Sequence, residues 1–267
     1  MSELLFSNVA LHYERPQGFG RVRHTRVLDH ISLSLRTGDF LVVLGRSGSG
    51  KTSLLNLAAG FVAPTSGRIA IDGAPIAGPS AERAVVFQDD ALFAWLSVRE
   101  NVALPLKLRH ISAARRNVRV EELLGLVGLG EHIDKSIWEL SGGQRQRVGI
   151  ARALAADPKF LLMDEPLGAL DAMTRERMQE LLLNVWGQSR TGALLITHSV
   201  EEALFLGTRI VVLAPGPGRI VEERATPFSA RFLAGEKARA LKADPAFVAM
   251  REELIEAIGS EPESQAA

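Results

Sequence analysis

Residues 40–60 read FLVVLGRSGSGKTSLLNLAAG, and this stretch decides the fold. Six residues from Phe40 to Gly45 form an unbroken apolar run. A run of that kind suits a strand buried on both faces, as in a parallel sheet covered by helices. Gly45–Thr52 then fit the pattern G-x-x-x-x-G-K-[ST], and Lys51 to Gly60 reads as a helix. Strand, glycine loop and helix follow in the order a phosphate-binding loop requires. Gly45, Gly48 and Gly50 permit a tight turn, while Arg46, Ser47 and Ser49 fill the variable positions. The loop's backbone N–H groups and the helix N-terminus would face an anion. Lys51 would reach the β- and γ-phosphates of a nucleotide, and Thr52 would ligate Mg²⁺.

Working outward, 4–13 and 28–36 alternate in polarity and read as two antiparallel strands. The Gly- and Arg-rich stretch at 14–26 between them reads as a surface loop. Short strands are expected at 66–73 and 83–88. From 95 to 157 the strand signals fade and helical periodicity takes over. Strands return at 159–166, 192–198 and 209–223, with helices at 174–188 and 200–207 between them. Such alternation implies an α/β fold of the P-loop NTPase (RecA-like) kind. Its parts are a mainly parallel sheet, an N-terminal antiparallel β subdomain and an inserted helical subdomain. The expected boundaries are an ATPase domain at 1–227, with core 1–92 and 158–227 and a helical subdomain at about 93–157. A helical tail follows at 228–267, broken at Asp244–Pro245, with a disordered end.

Composition excludes several classes. Lys plus Arg and Asp plus Glu both number 31, so no basic excess marks a dedicated nucleic-acid binder. The absence of cysteine rules out disulfides and thiolate metal sites. The N-terminus does not read as a signal peptide. No apolar run approaches the ~18 residues of a membrane helix, so a membrane role would run through a partner.

A second acidic strand, FLLMDE at 160–165, would deliver Asp164 to the carboxyl edge of the sheet, where it would hold Mg²⁺. Glu165 would sit beside the γ-phosphate and activate water. Just upstream, LSGGQ at 140–144 has two readings on its own residues. It is either an ordinary helix entry capped by Ser141 or a second phosphate-gripping turn.

The uninterrupted run LSGGQRQRVGIARALAADPKFLLMDEP resembles the ATP-binding subunits of ABC transporters. Gly45–Thr52 match that family's Walker A loop, Phe160–Asp164 its Walker B strand and Leu140–Gln144 its signature motif. Gln88 in VVFQDD matches the Q-loop, GALD at 168–171 the D-loop, and His198 in LLITHS the switch histidine. The resemblance implies ATP and Mg²⁺ as cofactors and a head-to-tail homodimer. In it, Ser141, Gly142, Gly143 and Gln144 of one copy would contact the ATP held by the other copy's Walker A loop. It also implies that Glu165, His198 and Gln88 serve catalysis, with Thr52, Gln88 and Asp164 around the metal. Tyr13, the single tyrosine, would stack on adenine, and Asp171 would cross the dimer seam. Ser199 departs from the Asp that often follows the switch histidine.

Within the family, the lack of membrane helices and the short helical tail resemble importer subunits. GPSAERAVVFQ, LAPGPGRIVEE and the tail at 230–254 resemble the taurine, sulfonate and nitrate branch most. The implied partners are two integral-membrane permease subunits and a solute-binding protein acting through them. The implied place is peripheral, on the cytoplasmic face of the inner membrane. The implied solute is taurine or a related sulfonate, with nitrate or another solute as the alternative and a non-transport ATPase role as the remote one. Leu92, Phe93 and Trp95 are either an exposed apolar patch for the permease or ordinary packing.

Overall fold

The computed structural model describes residues 1–16, 22–89, 91–189 and 191–259. Along the chain, β1 (Glu3–Pro16) and β2 (Val22–Arg36) precede the apolar β3 (Phe40–Gly45) and α1 (Lys51–Ala59). Next come β4 (Ser66–Ile71), β5 (Ala74–Pro75) and β6 (Arg83–Val86). The helices α2 (Val98–Leu108), α3 (Ala113–Leu126) and α4 (Gly142–Ala155) lead to β7 (Phe160–Asp164) and α5 (Ala172–Ser189). Then follow β8 (Gly192–Thr197), α6 (Val200–Leu206), β9 (Arg209–Leu213) and β10 (Ile220–Ala225). The tail forms α7 (Phe228–Leu233), α8 (Ala238–Lys242) and α9 (Pro245–Gly259).

These elements divide into two compact units, Met1–Pro79 with Gly192–Ala267, and Ser80–Thr191. In the first unit β3 lies between β8 and β9, parallel to both, and β10 runs antiparallel on the edge. All six residues of β3 and of β8 are buried, which accounts for their continuous apolar sequences. β10 alternates between half-buried and exposed positions, as an edge strand does. A separate antiparallel sheet has the order β2-β1-β4-β5. Its pairing shifts near Asn8, whose φ of 50° is one that asparagine tolerates better than most residues.

The expected loop at 14–26 is shorter than its composition implied. Glu14 pairs with His24, and His12 with Arg26, so the hairpin continues through polar residues. A ribbon with water on both faces has no apolar pattern to display, so its strand character is invisible to periodicity. Residues 17–21 of that stretch lie outside the described part.

The tail packs by its apolar side chains and by ion pairs. Phe228 and Phe247 are buried and meet edge to face at 4.9 Å. Lys242 pairs with Glu201 of α6 at 2.8 Å, and Arg231 bridges Glu236 and Asp244, both at 2.8 Å. Pro245 opens α9, and Asp244 accepts the Ala246 N–H at 2.8 Å. The Asp-Pro break is therefore a helix start. Residues 260–267, expected to be disordered, lie outside the described part.

The second unit holds the parallel pair β6 and β7, with Val86 opposite Met163, together with α2 to α5. Ser97 and Glu100 form a reciprocal capping box that starts α2. Trp95 is 79% exposed, whereas Leu92 and Phe93 are half-buried. Arg152 accounts for part of that cover: it lies over the Phe93 ring and donates to the Ala91 carbonyl at 2.8 Å. Of the three candidate patch residues, Trp95 is the one that presents its face. Among the described residues no helix is long and apolar enough to cross a membrane.

Candidate functional site

The first unit carries the phosphate loop at the carboxyl end of β3. Gly48 and Gly50 have φ of 81° and 90°, where a side chain would be strained. A Cβ on Gly45 would lie 2.5 Å from the Ser49 hydroxyl and 2.8 Å from the Leu213 carbonyl. A Cβ on Gly50 would lie 2.7 Å from the Leu28 side chain. Glycine is thus required at both ends of the turn. Gly50 caps α1 without any side-chain acceptor, and no acid stands in the first turn. A helix N-terminus without an acidic or side-chain cap attracts an anion.

Lys51 is 7% exposed, and its ammonium donates to the Gly45 carbonyl at 2.8 Å and the Arg46 carbonyl at 3.0 Å. It is folded back over the loop, where an arriving phosphate would compete for it. Arg46, Ser47 and Thr52 are exposed, and Ser49 is buried. A triphosphate fits this arrangement of glycine-capped helix N-terminus and folded-back ammonium.

β8 lies beside β3 with Leu44 opposite Thr197. His198, one residue on, is therefore level with Gly45 and exposed. Three hydrogen bonds bracket it. The Thr197 hydroxyl donates to Glu202 Oε2 at 2.8 Å, the Ser199 N–H to Thr197 Oγ1 at 3.1 Å, and the Glu202 N–H to Ser199 Oγ at 3.3 Å. Ser199 thereby caps α6, a task its hydroxyl shares with an aspartate. Tyr13 stands on β1 opposite Thr25, 37% exposed, within the strand and not at its end.

The second unit carries the acidic strand and the glycine pair. Asp164 ends β7, and Glu165 takes a φ of 40°. A non-glycine residue held there is locally strained, which is common where a side chain must be aimed at a reacting group. The Gly168 N–H donates to the Glu165 carbonyl at 3.1 Å and closes the turn. Gln88 is exposed two residues past β6. The Thr52 hydroxyl on the first unit and the Asp164 carboxylate on the second are each hard oxygen donors of the kind that suits Mg²⁺.

Ser141 caps α4 in a reciprocal box. Its hydroxyl accepts the Gln144 N–H at 3.3 Å, and Gln144 Oε1 accepts the Ser141 N–H at 2.9 Å. Gln144 Nε2 also lies 3.0 Å from His132 Nε2. A Cβ on Gly143 would lie 2.9 Å from the Thr174 methyl, so the glycine lets α4 begin close against α5. Asp171 caps α5 by accepting the Thr174 N–H at 3.0 Å. Hydrogen bonds from the Thr174 side chain and backbone hold its carboxyl below the ordinary carboxylate range.

The expected site residues thus fall into two groups. Tyr13, Gly45–Thr52 and His198 belong to the first unit, and Gln88, Ser141–Gln144, Asp164, Glu165 and Asp171 to the second. Sequence reasoning missed the work done by Gln144, although the S-x-x-Q spacing signals a capping box. It also missed Glu202, although the S-x-x-E spacing from Ser199, next to His198, signals it.

The model of the family described as ABC transporter matches residues 28–168. The chain belongs to the ABC transporter family. Within it the chain is an ATP-hydrolysing subunit. It is 58% identical to a taurine import ATP-binding protein of Sinorhizobium fredii, over 98% of this chain and 99% of that one. A protein of the same name from Mesorhizobium japonicum is 56% identical, over 97% and 98% of the two chains. Among solved structures, the ATP-binding cassette MJ0796 in a dimeric post-hydrolysis state with ADP and Pi superposes with a TM-score of 0.71. It is 30% identical and covers 83% of this chain and 98% of its own. A cassette from Clostridium perfringens, part of a cbiONQ transporter complex, shares the fold with a TM-score of 0.74, over 94% of this chain and 98% of its own, at 24% identity.

Proposed function

We propose that this ABC subunit drives uptake of taurine through a separate permease, working as a homodimer that closes on ATP. The observation that supports the solute is the extent of the similarity. It spans 266 residues at 58% identity and so includes the helical tail, which has no ATP chemistry to perform. Two permease subunits and a solute-binding protein would complete the transporter, with this subunit on the cytoplasmic face of the membrane. Trp95, exposed just after the Gln88 segment, is the surface offered to the permease.

In this reading Gly45–Thr52 hold the triphosphate and Tyr13 stacks on adenine. Thr52, Gln88 and Asp164 would hold Mg²⁺, which when bound would neutralise charge on the nucleotide's phosphates. Glu165 takes a proton from the attacking water, and His198 donates to the γ-phosphate. The capped end of α4, with Ser141, Gly142 and Gly143, faces the γ-phosphate bound by the other copy, with Gln144 setting the shape of that end. Asp171 lies at the seam. Closure is then favoured only while the γ-phosphate is present, because only that state offers the capped helix end a partner.

The test is uptake by the complex of this chain with its permease and binding protein in liposomes, across taurine, other sulfonates and nitrate. ATP-dependent taurine uptake is expected to exceed the others. Preferential nitrate uptake, or none of the panel, would displace the solute assignment while leaving the ATPase in place.

A further inference from the structure

The segment LAPGPGR at 213–219 forms the link from β9 to β10, and none of the roles above uses it. It lies under the phosphate loop. A Cβ on Gly218 would run into the Ser49 carbonyl and come within 2.9 Å of the Leu28 side chain. The same Leu28 side chain limits Gly50, and the Leu213 carbonyl limits Gly45. Two backbone hydrogen bonds fix the segment to β2. The Gly218 N–H donates to the Val27 carbonyl at 2.8 Å, and the Asp29 N–H to the Gly218 carbonyl at 2.9 Å. Gly45, Ser49 and Gly50 of the phosphate loop therefore rest on Leu213, Gly218 and Leu28.

A charge cluster closes this layer. Asp29 is 1% exposed, and its carboxylate receives Arg219 Nε at 2.8 Å and a second Arg219 nitrogen. Arg26 reaches the other carboxylate oxygen at 3.0 Å, and His30 stands 3.6 Å from it. Burial alone would raise this carboxyl. The Arg219 hydrogen bond and the charges of Arg26, Arg219 and His30 overcome that and hold it below its ordinary range. Arg26 Nε also donates to His12 Nε2 at 3.0 Å, and His12 precedes Tyr13 on β1. A single buried carboxylate thus joins the strand that carries Tyr13 to the segment beneath the phosphate loop.

We propose that Asp29 is a positioning residue for ATP: with Arg219 it clamps residues 214–219 under the phosphate loop, and through Arg26 and His12 it sets that loop against the Tyr13 strand. Asp29 and Arg219 touch no phosphate in this account. They fix the spacing between the place where adenine stacks and the place where the phosphates are gripped. The inference rests on the reading of Tyr13 and Gly45–Thr52 as the nucleotide site. Removing Arg219 leaves the buried Asp29 carboxylate short of its main partner, whereas removing both leaves no charge to compensate, which makes the pair testable as a unit.

The experiment uses the full chain with Asp29→Asn, Arg219→Gln, the double substitution and the conservative Arg219→Lys. ATP affinity is measured by titration calorimetry, KM and kcat by steady-state hydrolysis, and Tm by calorimetry. Displaced positioning groups cost up to about a hundred-fold, so each single variant is expected to raise Kd and KM for ATP roughly ten-fold with kcat within about two-fold. The double variant is expected to be no worse than the singles, because both act on one clamp. Arg219→Lys should fall between, since lysine keeps the charge without the fork. The Arg219 side chain is 59% exposed, so its variants remain informative even where Asp29→Asn does not fold. A lowered Tm with unchanged Kd and KM overturns the inference, as does a loss confined to kcat. Failure of the unsubstituted chain to bind ATP would instead overturn the nucleotide-site reading beneath it.

Discussion

Substitutions at Ser141 separate two roles that one hydroxyl is asked to fill. As the cap of α4 it accepts the Gln144 N–H at 3.3 Å, while the return bond from the Ser141 N–H to Gln144 does not use the side chain. Ser141→Ala removes only the first of these, worth about 1 kcal/mol. In a chain of this size that lowers Tm by about 3 °C. Ser141→Asp keeps a good cap and adds a negative charge at the positive end of the helix, so Tm should hold or rise slightly. At the proposed dimer seam the order would reverse. Ser141→Ala would lose the proposed hydrogen bond to a charged phosphate, about 1.5–3 kcal/mol, or roughly ten- to a hundred-fold in affinity. Ser141→Asp sets a carboxylate against the phosphate. At about 4 Å and an effective dielectric constant of about 20, one such charge pair costs about 4 kcal/mol, roughly a thousand-fold. The assays are Tm without nucleotide and ATP-driven dimerisation by light scattering, both in a Glu165→Gln background. An aspartate variant that dimerises as well as its parent would refute the placing of Ser141 against the partner's phosphate. One that melts as low as the alanine variant would refute the capping argument.

Other outcomes follow from the same structure. Phe247→Ala empties the edge-to-face contact with Phe228 in the tail and should cost about 3–5 kcal/mol by chemical denaturation. An unchanged midpoint would mean that the tail does not share the cooperative core. Asp171 has its carboxyl held below the ordinary 3.8 by bonds from Thr174. Its stabilisation is complete above that value and lost as pH falls through the lower, folded-state value. Tm measured from about pH 5 down to about pH 3 should therefore fall less in Asp171→Asn, which keeps the cap without the titration. Equal slopes would contradict this. Trp95→Ala should leave the basal ATPase rate of the isolated subunit unchanged and lower taurine uptake by the reconstituted transporter. Full uptake would exclude Trp95 from the permease surface.

Much of this protein is legible in its sequence because the features are local. The phosphate loop needs Gly45, Gly50 and Lys51 at fixed spacing between a buried strand and a helix, and the structure shows a physical clash behind each end glycine. The apolar runs of β3 and β8 read as buried strands for the same local reason. Ser141 as a cap follows from the residue type and from Gln144 three positions on. The parts that were not legible depend on residues far apart in the chain. Asp29 and Arg219 are separated by 190 positions, and nothing in LDHIS marks its aspartate as buried. The hairpin through Glu14 and His24 shows no period because neither face is apolar. The left-handed turn at Glu165 comes from the tertiary environment, since no glycine announces it.

In the proposed assembly one site is built from two copies of the chain, with ATP between them. Its most direct test is the mass in solution of the Glu165→Gln chain with Mg²⁺ and either ATP or ADP. The 28.9 kDa monomer is expected with ADP and twice that mass with ATP. A chain that binds ATP with the Gly45–Thr52 loop intact and remains a monomer at every concentration tested would contradict it.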